Sequence, residues 1–380
     1  MQKPEPELTQ MPWHVRQKIV DKVDTKSKLS VAQVSKDLQF RVSQSQMDYE
    51  ALQIHLIPDM IIVRVVVRDR DNDCWKKRWI EFRPHEKGAM KRNLSNDWEQ
   101  LLEGEDYREA AIHYALGIFQ NSKVNVRTFE LGVDRTAHGA LNDPKDPEDN
   151  SYPLSYPKAK FEEDRKVITK EILKTLKTYD FPLSIGKFYC RFQIPEDQLV
   201  MVLVQIDPDS LKTINLDFQF PRRDAPDAPK PVLTTETFLK MAHWKTVTRM
   251  RLQDYTCEVA LEEWEHFKTM EMAWNEPMAT GKQILMCFLR HPNFNHLSIV
   301  SQEYIDFSDI DPYMETLDVG VNPRARDGDH VLHASYIKQP SEPNARVGFL
   351  ITADDDEGYR IELYRERLRR IRNGVVIGPP

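Results

Sequence analysis

The sequence predicts an α/β protein: a small N-terminal helical module, then an irregular array of helices and short strands, closed at its far end by a cap of strands. Three observations carry this. Residues 9–42 space their apolar side chains as helices do, with no strand alternation. After Tyr49 the pattern changes to alternation, in Leu52, Ile54 and Leu56 and then in Ile61, Val63, Val65 and Val67. Further along, apolar helix faces take turns with short strand signals.

In the first segment Val15, Ile19, Val20 and Val23 recur at helical spacing, and Pro12 stands where a first turn tolerates proline. A break at 24–27 precedes Leu29, Val31, Val34, Leu38 and Val42. So small a segment buries too little surface to be stable alone, so the module should dock against something. The strands at 52–56 and 61–67 and a third at 75–82 follow, around charged turns. A helix at 107–119 then carries Tyr107, Ala110, Ala111, Tyr114, Ala115, Ile118 and Phe119 on one face, ahead of the strand Val126-x-x-Phe129-x-Leu131.

That last spacing recurs from Ile185, Leu211, Val247, Phe267 and Phe294, and it imitates the core of a leucine-rich repeat, making the array LRR-like. Three fixed apolar positions match by chance roughly ten times in a chain of this length, so the count alone decides nothing. Context supports the reading, because apolar helix faces precede several of these strands: Val167 to Leu176, Phe238 to Ala242, and Ile284 to Leu289. The proline-rich stretch 221–231 reads as an inserted loop, and 142–158 as an exposed connection or a hinge. Strands at 331–337, 347–352 and 359–364 would close the sheet, as an array requires. The competing architecture is a compact α/β domain with a mixed sheet. The expected divisions are 8–48 for the helical module, 49–141 for the strand-rich region with the first helix/strand unit, 142–158 for the linker, and 159–380 for the array.

Composition narrows the function classes. Lys plus Arg number 53 against 60 Asp plus Glu, a net charge of −7, which is the wrong sign for a chain devoted to phosphate backbones. No apolar run approaches the ~20 residues of a spanning helix, and residues 1–7 hold no apolar signal segment, so a cytoplasmic or nuclear address is expected, without membrane or nucleic acid as partner. The four cysteines, Cys74, Cys190, Cys257 and Cys287, lie far apart and form no CxxC pair, so buried structural thiols are expected. The 13 glycines form no dinucleotide or phosphate loop. His330 and His333 fall on a strand, where i and i+3 point to opposite faces, so no metal site is expected there. The acidic runs 69–73 and 354–357 lack the Gly and the distal Glu of a calcium loop and read as hairpin turns. The arginines at 365–372 read as a solvated face. No catalytic residue, metal or cofactor is expected, and the chain reads as a non-enzyme.

Met11-Pro12, Val15, Ile19-Val20, Val23-Asp24, Leu29 and Val34-Ser35-Lys36 resemble an F-box, with Met11 in place of the usual Leu and Leu38 where many members have Trp. Farther on, the phrases at 244–247, 267–272 and 290–294 resemble the FTH domain that follows the F-box in the nematode-expanded F-box A family. The resemblance implies a three-helix F-box-like module at 8–48 and an FTH-like substrate-recognition domain at 159–380. It also implies docking to the adaptor subunit of an SCF-type cullin-RING ubiquitin ligase, and through it to the cullin, by Met11, Pro12, Val15, Ile19, Val20, Val23, Leu29, Val34 and Leu38.

If the array is present, the strand residues alternating with the apolar ones face the open side of the sheet and are placed to hold a protein substrate. They are Thr128, Glu130, Lys187, Tyr189, Thr213, Asn215, Arg249, Arg251, Thr269, Glu271, His296 and Ser298. The expected function is a substrate adaptor in the ubiquitin-conjugation pathway, acting by proximity alone. The alternative is an LRR-like interaction scaffold whose N-terminal helices serve only as a cap.

Overall fold

The computed structural model describes residues 11–69, 74–95, 98–133, 158–192, 194–216, 232–233, 241–257, 261–264, 266–274, 281–291, 294–301, 314–316, 330–338, 345–354, 358–367, 370–372 and 375–377. It is a mixed α/β structure in two units, the first formed by 1–211 with 218–226 and the second by 212–217 with 227–380.

The first unit opens with three short helices, α1 (Trp13–Lys22), α2 (Thr25–Ala32) and α3 (Lys36–Ser43). Pro12 stands just ahead of α1 with extended backbone, φ −55 and ψ 145. Asp24 caps α2 by accepting from the Ser27 amide at 2.9 Å, and Ser35 caps α3 by accepting from the Leu38 amide at 3.2 Å. Val20, Leu38 and Val42 are buried and make the small core of these helices. The module leans on its own chain for the rest. Lys28 Nζ donates to the Gln46 carbonyl at 2.6 Å, the Asp48 amide donates to Thr25 Oγ1 at 2.9 Å, and Asn121 Nδ2 donates to the Ser45 carbonyl at 2.8 Å.

The strands β1 (Met47–Ile57), β2 (Met60–Asp69), β3 (Cys74–His85), β4 (Gly88–Asn93) and β5 (Trp98–Glu103) form an antiparallel meander. On the other side of β1, β6 (Val124–Val133) and β7 (Ser184–Cys190) add in parallel. The acidic run 69–73 joins paired strands, since Asp69 is in register with Cys74, as a hairpin requires; residues 70–73 lie outside the described residues. The helix α4 (Tyr107–Leu116) packs on β1 to β4 and against α5 (Lys158–Leu176), which in turn packs against α6 (Glu196–Val204). Leu52, Ile54, Val63, Phe82, Phe119, Phe129 and Phe188 lie at 1% exposure or less in the core between them. Arg108 clasps α4 to α5, reaching Asp106 at 2.7 Å, Glu163 at 3.0 Å and the buried Asp164 at 2.9 Å.

The second unit carries the strand series expected of the array. The strands β8 (Thr213–Leu216), β10 (Arg249–Cys257), β11 (Thr269–Trp274) and β12 (His296–Ser301) run parallel in chain order, and the two-residue β9 (Val232–Leu233) pairs with β10. A short α7 (Ala242–Thr246) leads into β10, a 3-10 turn at Leu261–Trp264 into β11, and α8 (Gly281–Arg290) into β12. Met250, Leu252, Trp264, Phe267, Met270, Met272, Phe288, Leu297 and Ile299 are buried between them. The C-terminal strands complete the sheet: β16 (Gly358–Arg367) pairs antiparallel with β12, then come β15 (Ala345–Asp354), β14 (His330–Lys338) and β13 (Met314–Thr316). A separate hairpin joins β17 (Arg370–Arg372) to β18 (Val375–Ile377).

One expectation about β14 needs correction. Simple alternation was to place positions 330 and 333 on opposite faces, but the register shifts between Val331 and His333, and they pair with Ala353 and Ile351. Those two partners have like parity, so the irregularity puts positions 330 and 333 on one face. The prolines of 221–231 lie outside the described residues, as does all of 142–158 except Lys158. Among the described residues no helix is long and apolar enough to cross a membrane.

Candidate interaction surfaces

The nine residues expected on the N-terminal stripe separate by burial. Val20 and Leu38 are each 2% exposed and hold the helices together. Met11, Val15, Ile19, Val23 and Leu29 are half-buried, Pro12 is exposed, and Val34 is 70% exposed. The sequence reading missed two aromatic side chains on the same helices: Trp13 is 67% exposed and Phe40 63%. Helical periodicity could not find them, because they lie off the stripe that packs inward. Their elements are pinned together: Arg41 Nη1 donates to the Trp13 carbonyl at 3.1 Å and pairs with Asp37 at 2.8 Å, which also holds Arg16 at 2.6 Å. The hydrogen bond from Arg41 and the nearby Arg16 charge keep the Asp37 carboxyl below its ordinary value. Exposed apolar side chains on a rigid support are the residue types an interface core uses.

The twelve sheet-face residues do fall into register, in rows within each unit. In the first, Thr128 pairs with Ala51 and Lys187, and Glu130 with Gln53 and Tyr189. Glu130 is only 3% exposed, accepts a short hydrogen bond from Gln53 and pairs with Arg191 at 2.7 Å. On the same face Ile57, Met60 and Ile62 are buried with Trp79 packed against them, so this end of the row is interior and not open to a substrate. In the second unit, one row reads Thr213, Arg249, Thr269 and His296, and the next reads Asn215, Arg251, Glu271 and Ser298. Arg251 Nε lies 2.9 Å from Glu271 Oε2, and Ser298 is 3% exposed. Arg249 is exposed.

A cavity of about 930 Å³ in the first unit was not visible in the sequence, because its walls come from segments far apart in the chain, from Asp21 to Ser210. Asp21, Asp24, Lys28, Asp48, Trp75 and Arg127 are among its lining residues. Its charges are largely spent within the fold: Arg127 pairs with Glu50 at 2.9 Å, Lys28 is committed to the Gln46 carbonyl, and Asp48 accepts from Gln46 at 3.2 Å. The cavity therefore serves as the seam between the helical module and the sheet.

No curated protein matches the chain. Residues 166–314, running from within α5 to the start of β13, match a family model described as the FTH domain, which supports an FTH domain in this part of the chain.

Proposed function

We propose that the chain is a non-catalytic substrate-recognition subunit of an SCF-type cullin-RING ubiquitin ligase, working in the cytoplasm or nucleus. The observation that carries the reading is the order of its parts: an FTH domain at 166–314 lies downstream of three helices whose sequence resembles an F-box. The helical module would bind the ligase adaptor, and the LRR-like strand array would bind a protein substrate. Acceleration would come from holding the substrate's lysines near the ubiquitin-loaded enzyme.

Pro12, Trp13, Val34 and Phe40 are exposed on the module, and Ile19 and Leu29 are half-buried. Burying a Val or Phe side chain contributes about 1.5–3 kcal/mol, from which ordering and association costs are subtracted. Val20 and Leu38 would act indirectly, by keeping α1 and α3 in place.

The test is co-expression of the full chain with the SCF adaptor, followed by size-exclusion chromatography. A 1:1 complex that survives in the wild type and is lost in Val34→Glu/Phe40→Glu, with circular dichroism unchanged, is the expected result. Absence of a complex with the wild type would refute the reading. The second reading, an interaction scaffold without ligase role, is favoured by the hydrogen bonds from Lys28 and Asp48 that fasten the module to its own sheet, as a cap would be fastened. It expects a stable monomer whatever adaptor is supplied.

A further inference from the structure

In the second unit the N-terminal ends of adjacent strands bring cations together in a chain whose net charge is −7. Backbone hydrogen bonds chain the residues just ahead of the strands: the Thr248 amide to the Lys212 carbonyl at 3.0 Å, Lys268 to Thr248 at 2.7 Å, and Asn295 to Lys268 at 2.7 Å. One residue further along lies the row Thr213, Arg249, Thr269 and His296. Neither row contains a carboxylate. Lys212, Arg249 and Lys268 are all exposed, and among the described residues their side chains make no ion pair or hydrogen bond. The nearest carboxylate along β11, Glu271, is already paired with Arg251.

We infer that this rim, Lys212, Arg249 and Lys268 with the Thr213 and Thr269 hydroxyls on either side of Arg249, binds an acidic segment of a protein partner. Neighbouring strands stand about 4.8 Å apart, so Lys212 and Lys268, two strands apart, are about 10 Å from each other with Arg249 between them. Alternate side chains of an extended peptide repeat every ~6.8 Å, so two or three anionic groups along such a peptide fall within reach of the three cations. Arg249 offers a planar fork that an oxyanion accepts in bidentate fashion, and the threonine hydroxyls supply further donors. The rim is too short for a nucleic acid backbone, which needs a long run of cations, and the row of Asn215 and Arg251 carries Glu271 and Glu362, which would repel one. The anionic group can be a carboxylate or a phosphoryl ester, and both present the same oxyanion to Arg249. Naming the partner as a ligase substrate rests on the reading above; the rim's charge chemistry does not.

The test uses the full chain and fluorescence anisotropy with four labelled probes of equal length: a glutamate-rich peptide, a phosphoserine peptide, a glutamine-rich peptide and a single-stranded DNA oligonucleotide. An acidic peptide is expected to bind, with affinity falling as salt rises, and the glutamine-rich peptide is not. The variant Lys212→Gln/Arg249→Gln/Lys268→Gln is expected to weaken that binding about tenfold. The control Lys166→Gln/Lys170→Gln/Lys177→Gln removes three exposed cations from the region of α5 and is expected to leave it unchanged. Which acidic peptide binds more tightly identifies carboxylate or phosphoryl as the natural group. Equal loss in the two triple variants, or tighter binding of the oligonucleotide than of either acidic peptide, would overturn the inference. Adaptor co-purification of the same variants, scored in parallel, separates a failure of the rim from a failure of the ligase reading.

Discussion

Arg108 offers the sharpest test of how the first unit is held together. It stands in the first turn of α4, is 14% exposed, and spans three carboxylates: Asp106 on its own helix start, and Glu163 and Asp164 on α5. The three are not equal. Glu163 is 62% exposed and its pair contributes under about 0.5 kcal/mol, whereas the Asp164 side chain is 2% exposed, with Lys160 at 3.5 Å and the Tyr107 hydroxyl at 3.5 Å among its other contacts. Removing one partner of a buried pair costs about 3–5 kcal/mol, and the contacts that Asp164 retains, Lys160 among them, set the expectation for Arg108→Met at the low end, about 3 kcal/mol. Replacing both partners, as Arg108→Met/Asp164→Leu, removes the stranded charge and should return at least half of that loss. Because the chain has two units, a single global unfolding curve is a poor reporter, and native-state hydrogen exchange of the α4 and α5 amides is the suitable assay. Equal or greater destabilisation in the double variant would show that Asp164 does not depend on Arg108 for its compensation.

Three further outcomes follow from particular side chains. Burial pushes the Glu171 carboxyl up, but hydrogen bonds from Lys174 at 2.9 Å and His113 at 2.8 Å outweigh it and hold the group below its ordinary 4.5. A depressed folded value stabilises the fold above the unfolded value and loses that contribution as pH falls through the folded one, so the stability gap between wild type and Glu171→Gln should close on acidification; a gap constant with pH contradicts it. Burial pushes the Cys190 thiol up to about 12, so iodoacetamide at about pH 8 should label Cys74 and Cys287 well before Cys190, read by mass spectrometry. Gly348 is in register with Tyr364, whose ring fills the space a Cβ would need, so Gly348→Ala should cost about 1–3 kcal/mol by thermal unfolding, and a neutral result would mean that the ring swings aside freely.

Much of the element order could be read from periodicity, because many of the elements bury one face more fully than the other. Alternation at 52–56 and 61–67 marked β1 and β2, and the repeated spacing from Ile185 to Phe294 marked the starts of β7, β8, β10, β11 and β12. The missed elements lack that signal. Among them, β4 and β5 carry Lys91, Arg92, Glu99 and Gln100 and keep few buried side chains, and α6 is apolar nearly all round, with Leu199, Val202 and Leu203 buried, so no single face stands out. Which face positions stay open was not legible at all. Glu130 and Ser298 have the polar character of surface residues and sit on the expected face, yet both are 3% exposed. Burial there depends on what covers the sheet, and a strand's own pattern does not contain that.

The same reasoning decides what the N-terminal helices can do. A docking module joined by a flexible tether would let a bound substrate wander, and the effective concentration gained from proximity falls as the tether lengthens. Here α3 ends at Ser43 and β1 begins at Met47, so no slack separates the module from the sheet. Lys28, only 4% exposed, directs its ammonium to the Gln46 carbonyl within that connection, and Lys123 Nζ does the same for the Gln44 carbonyl at 2.8 Å. A buried ammonium that donates to a backbone carbonyl costs more to leave unpaired than to keep in place, so the junction resists bending. A partner bound at Val34 and Phe40, as proposed above, would therefore be held in a fixed orientation to β1 and β6, and that rigidity is what a recognition subunit working by position alone would require.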